Sequence, residues 1–192
     1  MDSIALEDVL GGGLYLLNKL FLDIMERRKS SVEAYWFWRK LAWIVYLLGL
    51  PPVLMIFYHE QDWLFGAVEL GGTPAMFCGV IAAMSRKNAP AWLDRIALYA
   101  IPVGLAVTFL DFRDWHTFAL QFLGSAGFLI GTYELSKDRQ SGYNWFLLMN
   151  TATGALLYVQ GRPFWLLQQI LSIIFTFDAR RVRRLKTANA TA

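Results

Sequence analysis

The chain has 192 residues, 56% of them hydrophobic and 17% charged, where ordinary soluble domains run near 45–50% and about 25%. A globule of this size cannot hide that much apolar surface, so part of it is expected to face lipid. The formal net charge of +3 sits in short basic blocks between apolar runs, which argues against a nucleic-acid groove, and the lone Cys78 excludes a disulfide framework or a cysteine-built metal cluster.

A helix needs about 20 mostly apolar residues to cross a bilayer. In chain order the first candidate, about 5–25, is the weakest, because it carries Asn18, Lys19 and Asp23. Taken alone it also reads as an amphipathic helix lying on the membrane surface. The acidic start (Asp2, Glu7, Asp8) is unlike a cleavable signal peptide. Six stronger runs follow, at about 41–58, 64–85, 92–110, 117–135, 143–160 and 163–178. Lys and Arg prefer cytoplasmic loops. Every basic residue except Lys19, Arg113 and Arg162 falls in the blocks after the first, third, fifth and seventh runs. This predicts an N-terminus outside and a C-terminus in the cytoplasm. The charges fix the loops equally well with six spans, so they leave the first run open.

An internal repeat bears on that first run. "VLGGGLYLLNKLFLDIMERRKSS" opens one unit and "FLGSAGFLIGTYELSKDRQSG" the other. Each is a glycine-marked apolar run that ends in charge and serine. Trp43 and Trp63 are spaced like Trp145 and Trp165, and Tyr58 and Tyr158 occupy matching places. The expected fold is an all-α integral membrane protein of seven transmembrane helices, arranged 3+1+3 as parallel three-helix repeats. Residues 1–87 form the first unit, 88–116 the linker helix, 117–179 the second unit and 180–192 a basic cytoplasmic tail. Parallel repeats related by an axis along the membrane normal are a transporter device, with substrate held between them near mid-bilayer.

The residues "WFW" at Trp36–Trp38, then Tyr58 and Asp62, resemble the SWEET/PQ-loop superfamily and its PnuC-type vitamin transporters. In the second unit the likeness rests on Trp145, Asn150, Gly154, Leu157, Tyr158, Gly161 and Gln168. The resemblance implies facilitated diffusion of nicotinamide riboside or a related vitamin precursor. It further implies a ring sandwiched by aromatics and an amide and ribose read by Asn and Gln. The stricter pattern has a proline where this chain has Arg39, and a Leu-Tyr-Ala-Asp stretch where this chain has "HEQDWLFG". The first unit also resembles the small three-helix domain associated with lipid A precursor enzymes, through "FLDIMERRKSSVEAYWFW" and "DWLFGAVE".

Polar residues inside the runs are the candidate site. Asn150, Thr153 and Gly154 make a small polar strip at i, i+3 and i+4, which serves helix packing or a substrate path. Gln168 and Gln169 are adjacent, so they point about 100° apart; one is expected at a cavity and the other against a neighbouring helix. Glu69 is costly in a membrane unless hydrated, paired or protonated. It reads either as a substrate or proton site or as a side chain reaching the interface beside His59 and Arg113. Trp43, Trp145, Tyr158 and Tyr133 are the candidates for stacking on a substrate ring. Pro51, Pro52, Pro74 and Pro102 are breaks or bends in helix ladders, and the arginines after residue 179 an anchor at anionic headgroups.

No phosphate loop, zinc spacing or Ser/His/Asp set is present, so neither an enzyme nor a cofactor is expected. The predicted role is a small-molecule carrier in a bacterial inner membrane. Its expected partners are the substrate and the lipid bilayer, nucleic acid being excluded and a homo-oligomer left open. A membrane scaffold and a domain acting on a lipid-linked substrate are the rival readings.

Overall fold

The computed structural model describes residues 3–111 and 114–191; Asp2 and Arg113 lie outside them. Among the described residues are seven α-helices: α1 (Ser3–Arg27), α2 (Val32–His59), α3 (Trp63–Ser85), α4 (Ala91–Val107), α5 (Trp115–Ser136), α6 (Ser141–Val159) and α7 (Pro163–Thr191). A short 3-10 turn, Thr108–Asp111, extends α4. Three stretches, Val32–His59, Trp63–Ser85 and Ala91–Leu110, are long and apolar enough to cross a membrane.

Local chemistry sets the helix starts. Ser31 caps α2 by accepting from the Ala34 N–H, and Asp62 caps α3 by accepting from Phe65. Asp114 caps α5, accepting from His116 at 3.0 Å and Thr117 at 2.9 Å. These bonds, the one from Thr117 foremost, hold the Asp114 carboxyl below its ordinary value, since they favour the charged form. The α2–α3 and α6–α7 turns close with the same hydrogen bonds. Glu60 N–H donates to Ile56, Gln61 to Tyr58 and Asp62 to Phe57; Gln160 donates to Leu156, Gly161 to Tyr158 and Arg162 to Leu157. Both turns need a left-handed residue, Gln61 at φ 55° and Gly161 at φ 67°. Glycine adopts it freely, whereas glutamine does so at a cost.

The helices form a ring in the order α1–α2–α3–α5–α6–α7, closed by contact of α7 with α1, and α4 packs outside it against α3 and α5. We call the end that carries the α2–α3 and α6–α7 turns the upper end, and the opposite one the lower. Within the ring, α1 and α7 run in the same direction: Asp8 meets Trp165 near the top, and Arg27 meets Asp178 below. Small residues bring neighbouring backbones together. A Cβ on Gly127 would lie 2.6 Å from both the Met149 nitrogen and the Trp145 carbonyl, so α5 and α6 touch there backbone to backbone. On the other side of the ring a Cβ on Gly49 would lie 2.6 Å from the Tyr15 ring.

The core fills the lower half of the ring. Trp43, Tyr46, Met76, Phe128, Leu129, Tyr143 and Phe146 are buried together with Leu22 and Met25 of α1. The outward faces instead expose large apolar side chains, among them Leu48, Phe77, Val103, Leu123, Leu167 and Ile174. The first run is a member of the ring, with Asn18, Lys19, Asp23 and Glu26 turned into the bundle, rather than a helix lying apart. The basic tail is no separate segment, because α7 continues unbroken to Thr191.

Candidate functional site

The upper half of the ring holds a cavity of about 150 Å3, comparable in size to engineered cavities that take a benzene ring. All six ring helices line it and α4 does not. Its rim is formed by Glu60, Asp62, Gln160 and Arg162 of the two matching turns. Arg162 donates to both Glu60 carboxylate oxygens at 2.8 Å, linking those turns. Descending helix by helix, the lining stops at Lys19 of α1, Tyr46 of α2, Glu69 of α3, Phe128 of α5, Met149 of α6 and Gln169 of α7. The cavity therefore reaches the upper end and closes at mid-depth on the aromatic core.

Lys19 forms the floor. It is 3% exposed, and its ammonium lies 3.5 Å from the centroid of the Phe146 ring and 4.7 Å from that of Tyr46. It donates to Asn18 Oδ1 at 3.1 Å, and Asn18 is itself fixed to α2 through the Ala42 carbonyl at 2.9 Å. One turn above Lys19, the Tyr15 hydroxyl donates to Glu69 Oε2 at 2.8 Å. The Tyr15 and Tyr46 rings meet edge to face at 5.0 Å, so a pair of tyrosines connects Lys19 to Glu69. No ion pair within 4.0 Å joins Lys19 to Glu69 among the described residues.

Asn150 sits one turn above Phe146 on the same face of α6 and is 1% exposed, yet its Nδ2 has no hydrogen-bond acceptor. Ser125 Oγ on α5 and Gln169 Oε1 on α7 are likewise buried without partners. Gln168 and Gln169 both line the cavity, and Gln169 Nε2 donates to Gln168 Oε1 at 2.8 Å. The expectation that the two would serve different neighbours gives way to an amide pair on one wall. Glu69 faces inward to Tyr15 and not the interface.

Four of the eight residues singled out from sequence thus converge: Glu69, Asn150, Gln168 and Gln169. The four aromatic candidates do not border the cavity. Trp43 is 2% exposed and lies flat against Gly79, where a Cβ would meet its ring at 2.2 Å. Trp145 backs onto α5 through its carbonyl at Gly127. Tyr133 packs on the side facing Ala75, Cys78, Leu93 and Ala97, and Tyr158 is 74% exposed at the end of α6. The rings that do line the cavity are Tyr15, Tyr46, Phe57, Phe65, Phe128 and Trp165. Lys19 was missed because its charge only weakened the first span on hydropathy. The useful signal was spacing: Tyr15, Lys19, Asp23 and Glu26 recur at three to four residues and so share one helix face.

Below the floor, a polar seam runs between α1 and α7. Asp23 and Glu26 on α1 and Ser172 and Thr176 on α7 are buried, and the two hydroxyls have no hydrogen-bond partner. At the lower end Glu26, fully buried, accepts from Tyr143 at 2.9 Å and Arg183 at 3.1 Å. Arg183 also pairs with Asp138 at 2.9 Å, and Arg39 lies 3.8 Å from the same carboxylate. Arg183, expected at lipid headgroups, is thus turned inward as part of a plug joining α1, α2, α7 and the α5–α6 turn. No set of three His, Cys, Asp or Glu side chains among the described residues is placed to hold a metal ion.

No protein family, curated protein or solved structure matches the chain.

Proposed function

We propose that the protein is a membrane carrier for a small polar solute, working by alternating access. The observation that carries this reading is the polar cavity enclosed by six helices, reaching one end only and continued towards the other as a buried polar seam shut by the Glu26–Arg183–Asp138 plug. Buried polar groups without partners are costly. Several along a single axis, in a bundle whose outside is apolar, fit a path for solute better than helix packing. The exposed apolar belt would face lipid, with all seven helices crossing. The basic residues crowd the lower end, which would be cytoplasmic.

The ring order supports the 3+1+3 repeat as well. Exchanging α1–α3 for α5–α7 maps each neighbouring pair onto another neighbouring pair. The matching bonds of the two turns align residues 56–62 with 156–162. That register also pairs Tyr46 with Phe146 and Glu69 with Gln169, all of which surround the cavity or its floor. The resemblance to PnuC-type transporters supplies nicotinamide riboside as the reference substrate, taken by facilitated diffusion. A flat ring fits the enclosed volume, and a sugar would extend towards the rim.

Uptake into proteoliposomes tests the reading. Saturable entry of labelled solute, lost in Asn150→Leu while the variant still purifies as a folded monodisperse species, is the expected result. Linear, non-saturable leakage that Asn150→Leu leaves unchanged would remove the carrier reading.

A further inference from the structure

We infer that the cavity selects a zwitterion: a solute with a carboxylate for the floor and a cationic or N–H-bearing group for Glu69. The inference rests on the carrier reading and departs from the amide-bearing solute that the resemblance alone supplies. It begins with unfilled hydrogen-bonding capacity. An ammonium has three donors, and Lys19 spends one on Asn18. The nitrogen otherwise lies against the Phe146 and Tyr46 rings, on a residue that lines the cavity. Asn150 adds a buried N–H donor without an acceptor, one turn above Phe146. Ser125 adds a hydroxyl from the facing helix. Three groups able to donate therefore line the deep part of the cavity, beside one unmet acceptor, Gln169 Oε1. Two anionic oxygens can take donors from Lys19, Asn150 and Ser125, whereas the two N–H donors of a carboxamide would find a single unmet acceptor there, Gln169 Oε1.

The second charge lies higher. Tyr15 and Lys19 are one turn apart on α1, a rise of about 6 Å, and Glu69 is bonded at the Tyr15 level. With Oε2 held by Tyr15, the other oxygen is left for a ligand in the cavity that Glu69 lines. The matching position of the second half is Gln169, an amide of nearly the same shape. The two halves thus differ by one charge at the same height, and Lys19 lies between the paired rings Tyr46 and Phe146. A solute bound on this axis finds an amine at the floor and a carboxyl on one wall only. Lys19 and Glu69 are not in direct contact, and the Tyr46 and Tyr15 rings connect them.

A set of four probes on one ring separates charge from shape: nicotinate, nicotinamide, the N-methylnicotinamide cation and the zwitterion N-methylnicotinate. Binding to the full-length protein in detergent is read by calorimetry and thermal shift. The zwitterion is expected to bind at least about tenfold more tightly than nicotinamide, because unmet buried groups penalise the wrong partner. Lys19→Met should erase the preference for carboxylate over carboxamide, and Glu69→Gln the preference for N-methylated over unmethylated rings. The series on the unaltered chain decides the matter even if a variant fails to fold. Nicotinamide or its cation binding as tightly as the zwitterion would overturn the inference and leave the carrier reading standing. Absence of binding by all four would overturn the inference, and proteoliposome uptake of other solutes would then decide the carrier reading separately.

Discussion

Asn150 and Glu26 show how one kind of side chain can mean two things. Both are polar and buried, but Asn150 faces a cavity with an unused donor, whereas Glu26 is held by Tyr143 and Arg183. From sequence Asn150 could be singled out because it interrupts an apolar run. Glu26 could not, because it stands in a charged block, "MERRK", that reads as a solvated loop. Removing one member of a buried ion pair strands the other, at a cost of about 3–5 kcal/mol. Arg183→Gln should therefore lower the thermal midpoint strongly, and adding Glu26→Gln should restore much of the loss. An equal loss from Arg181→Gln, an exposed neighbour on the same helix, would show that charge near the tail matters and the plug does not.

Helix positions followed from hydropathy because apolar runs of spanning length leave few alternatives. Helix ends did not, since α1, α2 and α7 continue as polar helix beyond the runs that revealed them. The partners of each face were also illegible. Trp43 and Trp145 are spaced alike from Trp63 and Trp165, but the ring of the first is buried against Gly79, whereas the second is half-buried and meets α5 through its carbonyl and Cβ at Gly127 and Gly131. Glycine positions decide such contacts, and their effects depend on what lies opposite. Gly127→Leu would force α5 and α6 apart and should destabilise by at least about 1–3 kcal/mol, as overpacked cores do. Gly13, with nothing within 4 Å of its would-be Cβ, is the control. Gly13→Ala should be neutral or stabilise by up to about 1 kcal/mol through helix propensity. Denaturation of both variants in one detergent measures the contrast, and similar losses in the two would refute it.

At the scale of the whole molecule, membrane orientation is the most direct physical test. The rim turn at Gln61 and the α1–α2 turn at Ser30 lie at opposite ends of the ring. In a Cys78→Ala background, Gln61→Cys should react with an impermeant maleimide on intact cells, and Ser30→Cys only after the membrane is opened. Reaction of both from one side would exclude the seven-span arrangement. The expected sidedness rests on Lys and Arg alone, and this labelling is its test. The ring order could not be read from the sequence, because hydropathy does not tell a helix which neighbour it meets.

The position of α4 outside the ring bears on the heredity of the chain. It adds nothing to the cavity lining; it packs chiefly on α3, through Ala75, Cys78, Leu93 and Ala97, and Asp94 ties it to Lys137 of the α5–α6 turn at 2.6 Å. The covalent link between Ser85 and Ala91 thus joins two helices, α3 and α4, that already pack on each other. Cut there and expressed as two polypeptides, the pieces should find each other through the α3–α5 and α7–α1 seams. Neither piece alone should bind solute, since Lys19 and Glu69 are on one and Asn150 and Gln169 on the other. Loss-of-function alleles in the two halves should therefore complement when each is supplied on its own transcript.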